Sequence, residues 1–339
     1  MEQNQTPPPD AILMQMLFAP LMQRSIGVAT KLGIADLLAE KPQTAAELAA
    51  KTGTHAPSLY RVLRALVSIG IFSETSDQKF ELTQLAELLR KDAPNSMRDV
   101  VIMFDEPWLL NAWGELMYSV KTGGIAHDKI QGMSSFEYFA KNAEAGQVFY
   151  RSMTTMTLGM IPAVLEAYNF SDVHKIIDIA GGHGLLLSRI LKTNPEAKGI
   201  LFDLPHVVDS ARELLSKEGV SDRVELASGD FFQSVPAGGD AYVLKHIIHD
   251  WDDEHSIKLL KNIRAAMNEK GKVLIIEMVV PEGNVPSPSK ALDLVMLTME
   301  GGKERTAQEY SELLEASNLK LTRIIPTKSP YSIVEGVRK

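Results

Sequence analysis

A doubly wound α/β sheet preceded by a mainly helical region is the fold class that the sequence predicts. From about residue 165 onward, short apolar runs alternate with amphipathic helical stretches, the mark of repeated βαβ units. Between Ala11 and about residue 120, by contrast, apolar residues recur at three- and four-residue spacing, the helical period. The 339 residues, 45% hydrophobic and 23% charged, fit a globular protein of about two domains. With no cysteine, disulfides, thiolate nucleophiles and cysteine-bound metals are excluded. The 35 Lys and Arg stand against 43 Asp and Glu, and a net charge of -8 opposes general binding to nucleic acid or anionic lipid. The opening residues lack the basic and apolar regions of a signal peptide, and no run reaches the ~18 apolar residues of a membrane span. A cytoplasmic protein with neither a nucleic-acid nor a membrane partner is expected.

The elements follow in order. Residues 1–10 are polar and carry Pro7-Pro8-Pro9, so they are expected to be mobile, with order beginning near Ala11. Residues 11–100 read as a winged helix. Thr44 and Glu47 form a capping box, Lys51-Thr52-Gly53 ends that helix and Ser58 caps the next. The second helix buries Leu59, Val62, Leu63, Leu66 and Val67, and residues 71–82 alternate like a hairpin wing. Residues 101–164 read as connecting helices, and 165–339 as the sheet domain. Strands are expected at 175–179, 199–202, 224–227, 241–247 and 272–276. Two more, at 319–325 and 331–337, are joined by a short link that makes the last strand antiparallel.

Asp178, Asp203, Asp230, His249 and Glu277 stand at or near the ends of the five parallel runs, where a doubly wound sheet binds its ligands. Glycines at 181, 182 and 184, between a strand and a helix beginning at Leu185, allow a cofactor to approach the backbone. The dinucleotide fingerprint is incomplete, because Leu187 stands where a third glycine belongs, which weighs against a nicotinamide cofactor. Asp203, about twenty residues on, is placed to accept from a ribose diol. Three acids near one pocket also favour a cationic ligand such as a sulfonium. The plainer reading of these acids is that they cap helices or turns.

The motifs DIAGGHG (178–184), FDLPHV (202–207), GDFF (229–232), LKHIIHDW (244–251) and GGKERT (301–306) together resemble the S-adenosylmethionine-dependent small-molecule O-methyltransferases. That family contains plant caffeic acid and flavonoid methyltransferases, acetylserotonin methyltransferases and bacterial pigment and antibiotic methyltransferases. The similarity runs over nearly the whole chain. It implies a Rossmann-like cofactor domain, an N-terminal winged-helix dimerisation domain making a homodimer through its helices, and no metal. It also implies that Ala180, Gly181 and Gly182 lie against the methionine part of the cofactor and that Asp203 binds the ribose, with Leu204 alongside. Asp230 and Phe231 define the adenine pocket, completed by Lys245 and Trp251. Ala180 replaces the family's usual glycine.

By the same resemblance His249 is the general base, and Glu277 and Glu304 flank it, orienting the ring and stabilising the imidazolium. The chemistry agrees: a phenol titrates near ~10 and a histidine near ~6.5, so an imidazole can take the proton as the methyl group arrives. Phe149, Met153 and Met296 match positions that line the acceptor pocket, Met156 joins them by helical spacing, which equally suits a core, and Asp250 is expected to touch a hydroxyl of the acceptor. The acceptor is expected to be small, and aromatic or polyketide. His183, His246 and His255 are expected to be structural or exposed. Trp108, Asn111 and Trp113 lie in the region that varies with substrate, and Met22 or Gln23 is expected to reach the partner's site. The rival readings are a winged-helix DNA-binding regulator, offering only Arg61, Arg64 and Lys51, and a relative using S-adenosylmethionine for non-methylating chemistry.

Overall fold

The structure, a computed structural model, describes residues 7–339; the first six residues of the segment expected to be mobile lie outside them. The chain divides into two compact units between Leu110 and Asn111, so most of the connecting helices fall with the sheet.

The first unit opens with the helix Pro9–Lys31. It starts at Pro9 rather than Ala11, because a proline at the first helical position lacks an N–H that has no intrahelical partner there. Strand β1 (Gln43–Thr44) leads into the helix Ala45–Thr52, where Thr44 Oγ1 accepts the Glu47 N–H and Glu47 accepts the Thr44 N–H, the capping box expected. The next helix, Ala56–Ser68, is capped by His55 and not by Ser58, whose hydroxyl instead meets the His55 ring at 2.9 Å from the third helical position. Strands β2 (Phe72–Glu74) and β3 (Lys79–Leu82) form the wing, in the antiparallel order β1-β3-β2. Leu48, Leu63, Leu66, Phe72 and Phe80 form its core.

Farther along the first helix, Arg24 and Lys31 pair with buried Asp105 at 2.5 and 3.1 Å, and Gln23 donates to the Phe104 carbonyl. The helix's N-terminal two-thirds expose Leu13, Met14, Met16, Leu17, Phe18 and Leu21. It is the one helix among the described residues long and apolar enough to cross a membrane, by length and composition only, although its sequence holds no run of ~18 apolar residues.

The second unit is built on seven strands: β4 (Lys175–Ile179), β5 (Lys198–Asp203), β6 (Val224–Ser228), β7 (Ala241–Lys245), β8 (Lys272–Glu277), β9 (Leu319–Pro326) and β10 (Ser332–Arg338). Their order is β6-β5-β4-β7-β8-β10-β9, and β10 alone runs against its neighbours, as expected for the last strand. Apolar runs are nearly continuous because helices cover both faces. Ile176, Val243, Leu274 and Ile276 pack with the helices Ala143–Ala167 and Leu185–Thr193 on one face. Ile177, Leu244, Val273 and Ile275 pack with Asp253–Ala266 and Ala307–Ala316 on the other. Strand β7 stops at Lys245, short of the expected Ile247, because His246 takes φ 56° and breaks the extended backbone.

Candidate active site

Strand parity decides which side chains can meet at the carboxyl end of this sheet. Asp178 shares the face of Ile176, and Lys245 that of Val243; Glu277, two residues after Ile275, points to the opposite face.

The turn after β4 carries Ala180 at φ 51°, Gly182 at 58° and Gly184 at 77°. Ala180 thus holds a left-handed conformation that a glycine adopts more freely. Gly181 has no room for a side chain, since a Cβ there would meet the Asp178 carboxylate under 3.0 Å away. Asp203, ending β5, closes the turn: its Oδ2 accepts the Gly182 N–H at 2.8 Å and its Oδ1 the Leu204 N–H at 2.7 Å. Leu204 is 47% exposed.

Asp178 is buried, and its Oδ2 has no partner. Burial, with the nearby Asp203 charge and against the pull of Lys245, pushes it up to about 7. Lys245 donates to Thr157 Oγ1 at 3.0 Å, and burial brings it down to about 8 although Asp178, Asp250 and Glu277 oppose the fall. Thr157 was not singled out from the sequence; its signal was the four-residue step from Met153 on one helical face.

Asp230 accepts the Phe232 N–H at 2.8 Å within its own turn. Phe231, Phe232 and Trp251 pack edge to face, Phe231 6.0 Å and Phe232 4.7 Å from Trp251.

His249 sits in the short turn Ile248–Asp250, 5% exposed. Its Nδ1 meets Glu304 Oε1 at 2.5 Å, and its Nε2 lies 3.3 Å from Asp250 Oδ1. Glu277 does not flank the ring. Its Oε1 accepts the backbone N–H groups of Ile247, Ile248 and His249 at 3.0, 2.7 and 3.2 Å, and its Oε2 accepts from the Tyr310 hydroxyl. It therefore orders the turn from the opposite face, as its parity requires.

Burial disfavours the charged imidazole, but Asp250, Glu304 and Glu277 outweigh it and push His249 up to about 9. Burial also raises Asp250, to about 7. His246, buried and held neutral by burial, stacks on His249 and on Tyr331, each at 4.9 Å. His255 is exposed and bonded to Asp252, whereas His183 is drawn between Tyr150 and Thr154. His183 and Tyr150, with Gln147, Arg151, Val207 and Ser210, line a cleft of about 250 Å³.

Arg305, wholly buried, was also missed in the sequence reading: it donates to the carbonyls of Ile248 and Trp251 and to Asp253, fixing the turn from outside. Phe149 stacks on Phe139 at 4.6 Å and meets Phe136 edge to face at 6.2 Å. Met153 and Met156 are half-buried on the same helix, and Met296 is buried on Pro288–Met299. Trp108 is buried, Trp113 half-buried and Asn111 exposed. Among the described residues no group of three or more histidines and carboxylates is arranged to hold a metal ion.

Two family models match this chain: an O-methyltransferase domain over residues 113–319 and an O-methyltransferase dimerisation domain over residues 14–92. A phenazine O-methyltransferase, PhzM, of Lysobacter antibioticus is 48% identical over 97% of this chain and 96% of its own length. The crystal structure of LaPhzM, also 48% identical, superposes with a TM-score of 0.93 over 98% of this chain and 100% of that one. NcsB1, an O-methyltransferase from neocarzinostatin biosynthesis solved with S-adenosylmethionine and 2-hydroxy-5-methyl naphthoic acid, is 32% identical, with a TM-score of 0.82 over 94% of this chain and 96% of that one. With the sheet order, the glycine turn and the His249–Glu304 pair in place, these matches show that the chain belongs to the S-adenosylmethionine-dependent O-methyltransferases.

Proposed function

We propose that this enzyme methylates a hydroxyl of a flat polycyclic aromatic acceptor, a hydroxylated phenazine first among the candidates, with His249 as the general base. The observation that carries the reading is the His249–Glu304 pair at 2.5 Å, buried at the carboxyl end of the same sheet that holds the Ala180–Gly182 turn and Asp203. S-adenosylmethionine supplies a methyl group on a positively charged sulfur. The residues fit such a cation: Asp178 carries a buried carboxylate oxygen with no partner, and Asp203 stands beside it. Ala180, Gly181, Gly182 and Leu204 hold the methionine and ribose end, and Asp230, Phe231, Lys245 and Trp251 the adenine end.

In this reading the chain's own work is positioning and proton transfer. The acceptor hydroxyl takes the place of Asp250 at His249 Nε2, and its proton passes to that nitrogen as the oxygen gains the methyl group. Glu304 at Nδ1 stabilises the resulting imidazolium. Phe149, Met153, Met156 and Met296 offer apolar and aromatic surface to the ring, and Asp250 holds a hydroxyl. The phenazine class follows from the PhzM relative, and the apolar stripe of Leu13, Met16, Leu17 and Leu21 is the face through which two copies pair.

The test is transfer of labelled methyl from S-adenosylmethionine to hydroxyphenazine by the wild type and by His249→Ala. The variant should bind the cofactor normally and lose about 10²–10⁴-fold in rate. An unchanged rate would remove His249 as the base, and no transfer by the wild type would remove the acceptor class.

A further inference from the structure

The helix Pro288–Met299 ends at Glu300, and Gly302, two residues on, packs against the His249–Trp251 backbone. Glu300 is thereby carried to the histidine turn. Wholly buried Ser135 donates its hydroxyl to Glu300 Oε2 at 2.5 Å. Ser135 opens the helix Ser135–Lys141, whose Phe136 and Phe139 both pack on Phe149. The Ser135–Glu300 pair therefore stands beside the aromatic surface assigned to the acceptor, one turn from Met296. Among the described residues no lysine or arginine forms an ion pair with Glu300. Its charged neighbours include two more carboxylates, Asp250 and Asp128, and the His249 ring. Burial first, and then the Asp250 charge, push Glu300 up to about 8.

We propose that Glu300, held by Ser135, sets acceptor specificity: it hydrogen-bonds a ring nitrogen or second hydroxyl of an uncharged or cationic aromatic acceptor, and it excludes acceptors bearing a carboxylate. This rests on the hydroxyl-methylation reading above. Once Glu300 is ionised, above about pH 8, a carboxylate brought beside Asp250, Glu300 and Glu304 has only the His249 imidazole to balance it, and like charges in a buried site repel strongly. The proposed exclusion concerns this chain and does not extend to the family, since NcsB1 was solved with a naphthoic acid.

The experiment compares hydroxyphenazine with and without a ring carboxylate. Calorimetric binding to the full chain loaded with S-adenosylhomocysteine, and methyl transfer from S-adenosylmethionine, are measured for the wild type and Glu300→Gln. The glutamine keeps an oxygen for Ser135 and removes the charge. At pH 9, where Glu300 is ionised, the wild type should prefer the uncharged ring by at least ~30-fold, with a smaller preference at pH 6, and Glu300→Gln should narrow the pH 9 ratio to below ~5-fold. A ratio unchanged in the variant, a wild type that binds both alike, or one that binds neither overturns the proposal. The pH trend in the wild type serves as the second test if the variant does not fold. Transfer without discrimination removes Glu300 and leaves the methylation reading; discrimination in binding without transfer does the reverse.

Discussion

Gly302 lies against His249 so closely that a Cβ at 302 would stand under 3.0 Å from the His249 carbonyl oxygen. Backbone, not a flexible side chain, occupies that space, so it cannot yield cheaply. Gly302→Ala should push the 301–304 segment away from the turn and pull Glu304 off the ring. A fall in kcat of at least ~100-fold is expected, with a stability loss of about 2–4 kcal/mol. Steady-state kinetics and calorimetric melting check both.

Asp250 is the foremost charge raising His249 to about 9. A base works when deprotonated, so kcat/KM for the wild type should climb through neutral pH toward that value. In Asp250→Asn the histidine loses this charge and its pKa falls. The acidic limb of the pH profile should then move down by at least ~1 unit, even if the maximal rate drops. A limb that stays in place would detach Asp250 from the ring.

Glu277 and Glu304 should fail differently when removed. Glu277→Ala strands three buried backbone N–H groups and the Tyr310 hydroxyl, and should lose about 3–5 kcal/mol of stability. Glu304→Gln keeps a hydrogen bond to the ring but no charge, and should lower the rate with a smaller effect on melting. Chemical denaturation beside kinetics separates them, and equal stability losses would contradict the two roles.

Asp178 carries a stability signature of its own. Its pKa is raised from 3.8 to about 7 in the folded chain, so its contribution is fully present below 3.8 and is lost as pH rises through about 7. Asp178→Asn should reduce the stability difference between pH 4 and pH 8 by about 2–4 kcal/mol. Urea titrations at the two pH values measure it, and an unchanged difference would mean that Asp178 ionises without penalty.

Local pattern carried much of this molecule into view before any coordinates. The Thr44–Glu47 box and the strand end at Ile179 depend on a few neighbouring residues, and near-continuous apolar runs announce a sheet covered on both faces. His249 and Asp203 were visible because strand ends are where ligands bind. Contacts made across long separations were not visible. Ser135 meets Glu300 across 165 residues, and Arg305 reaches Ile248 across 57. Glu277 favours the charged imidazole as expected but touches the turn's backbone and not the ring, because the face on which the histidine ring lies is set by the turn after the strand, where His246 leaves the extended region.

Strand β10, the last to be translated of the seven, lies between β8 and β9. Until the ribosome has released Arg338, the apolar edge of β8 has no neighbour, and β9, although already synthesised, has nothing to join. The nascent chain therefore carries an open strand edge through the last stage of its synthesis, the kind of surface that chaperones shield and that aggregates when crowded. A nonsense or frameshift lesion between Glu304 and β10 would leave that edge bare permanently, even with every catalytic residue intact.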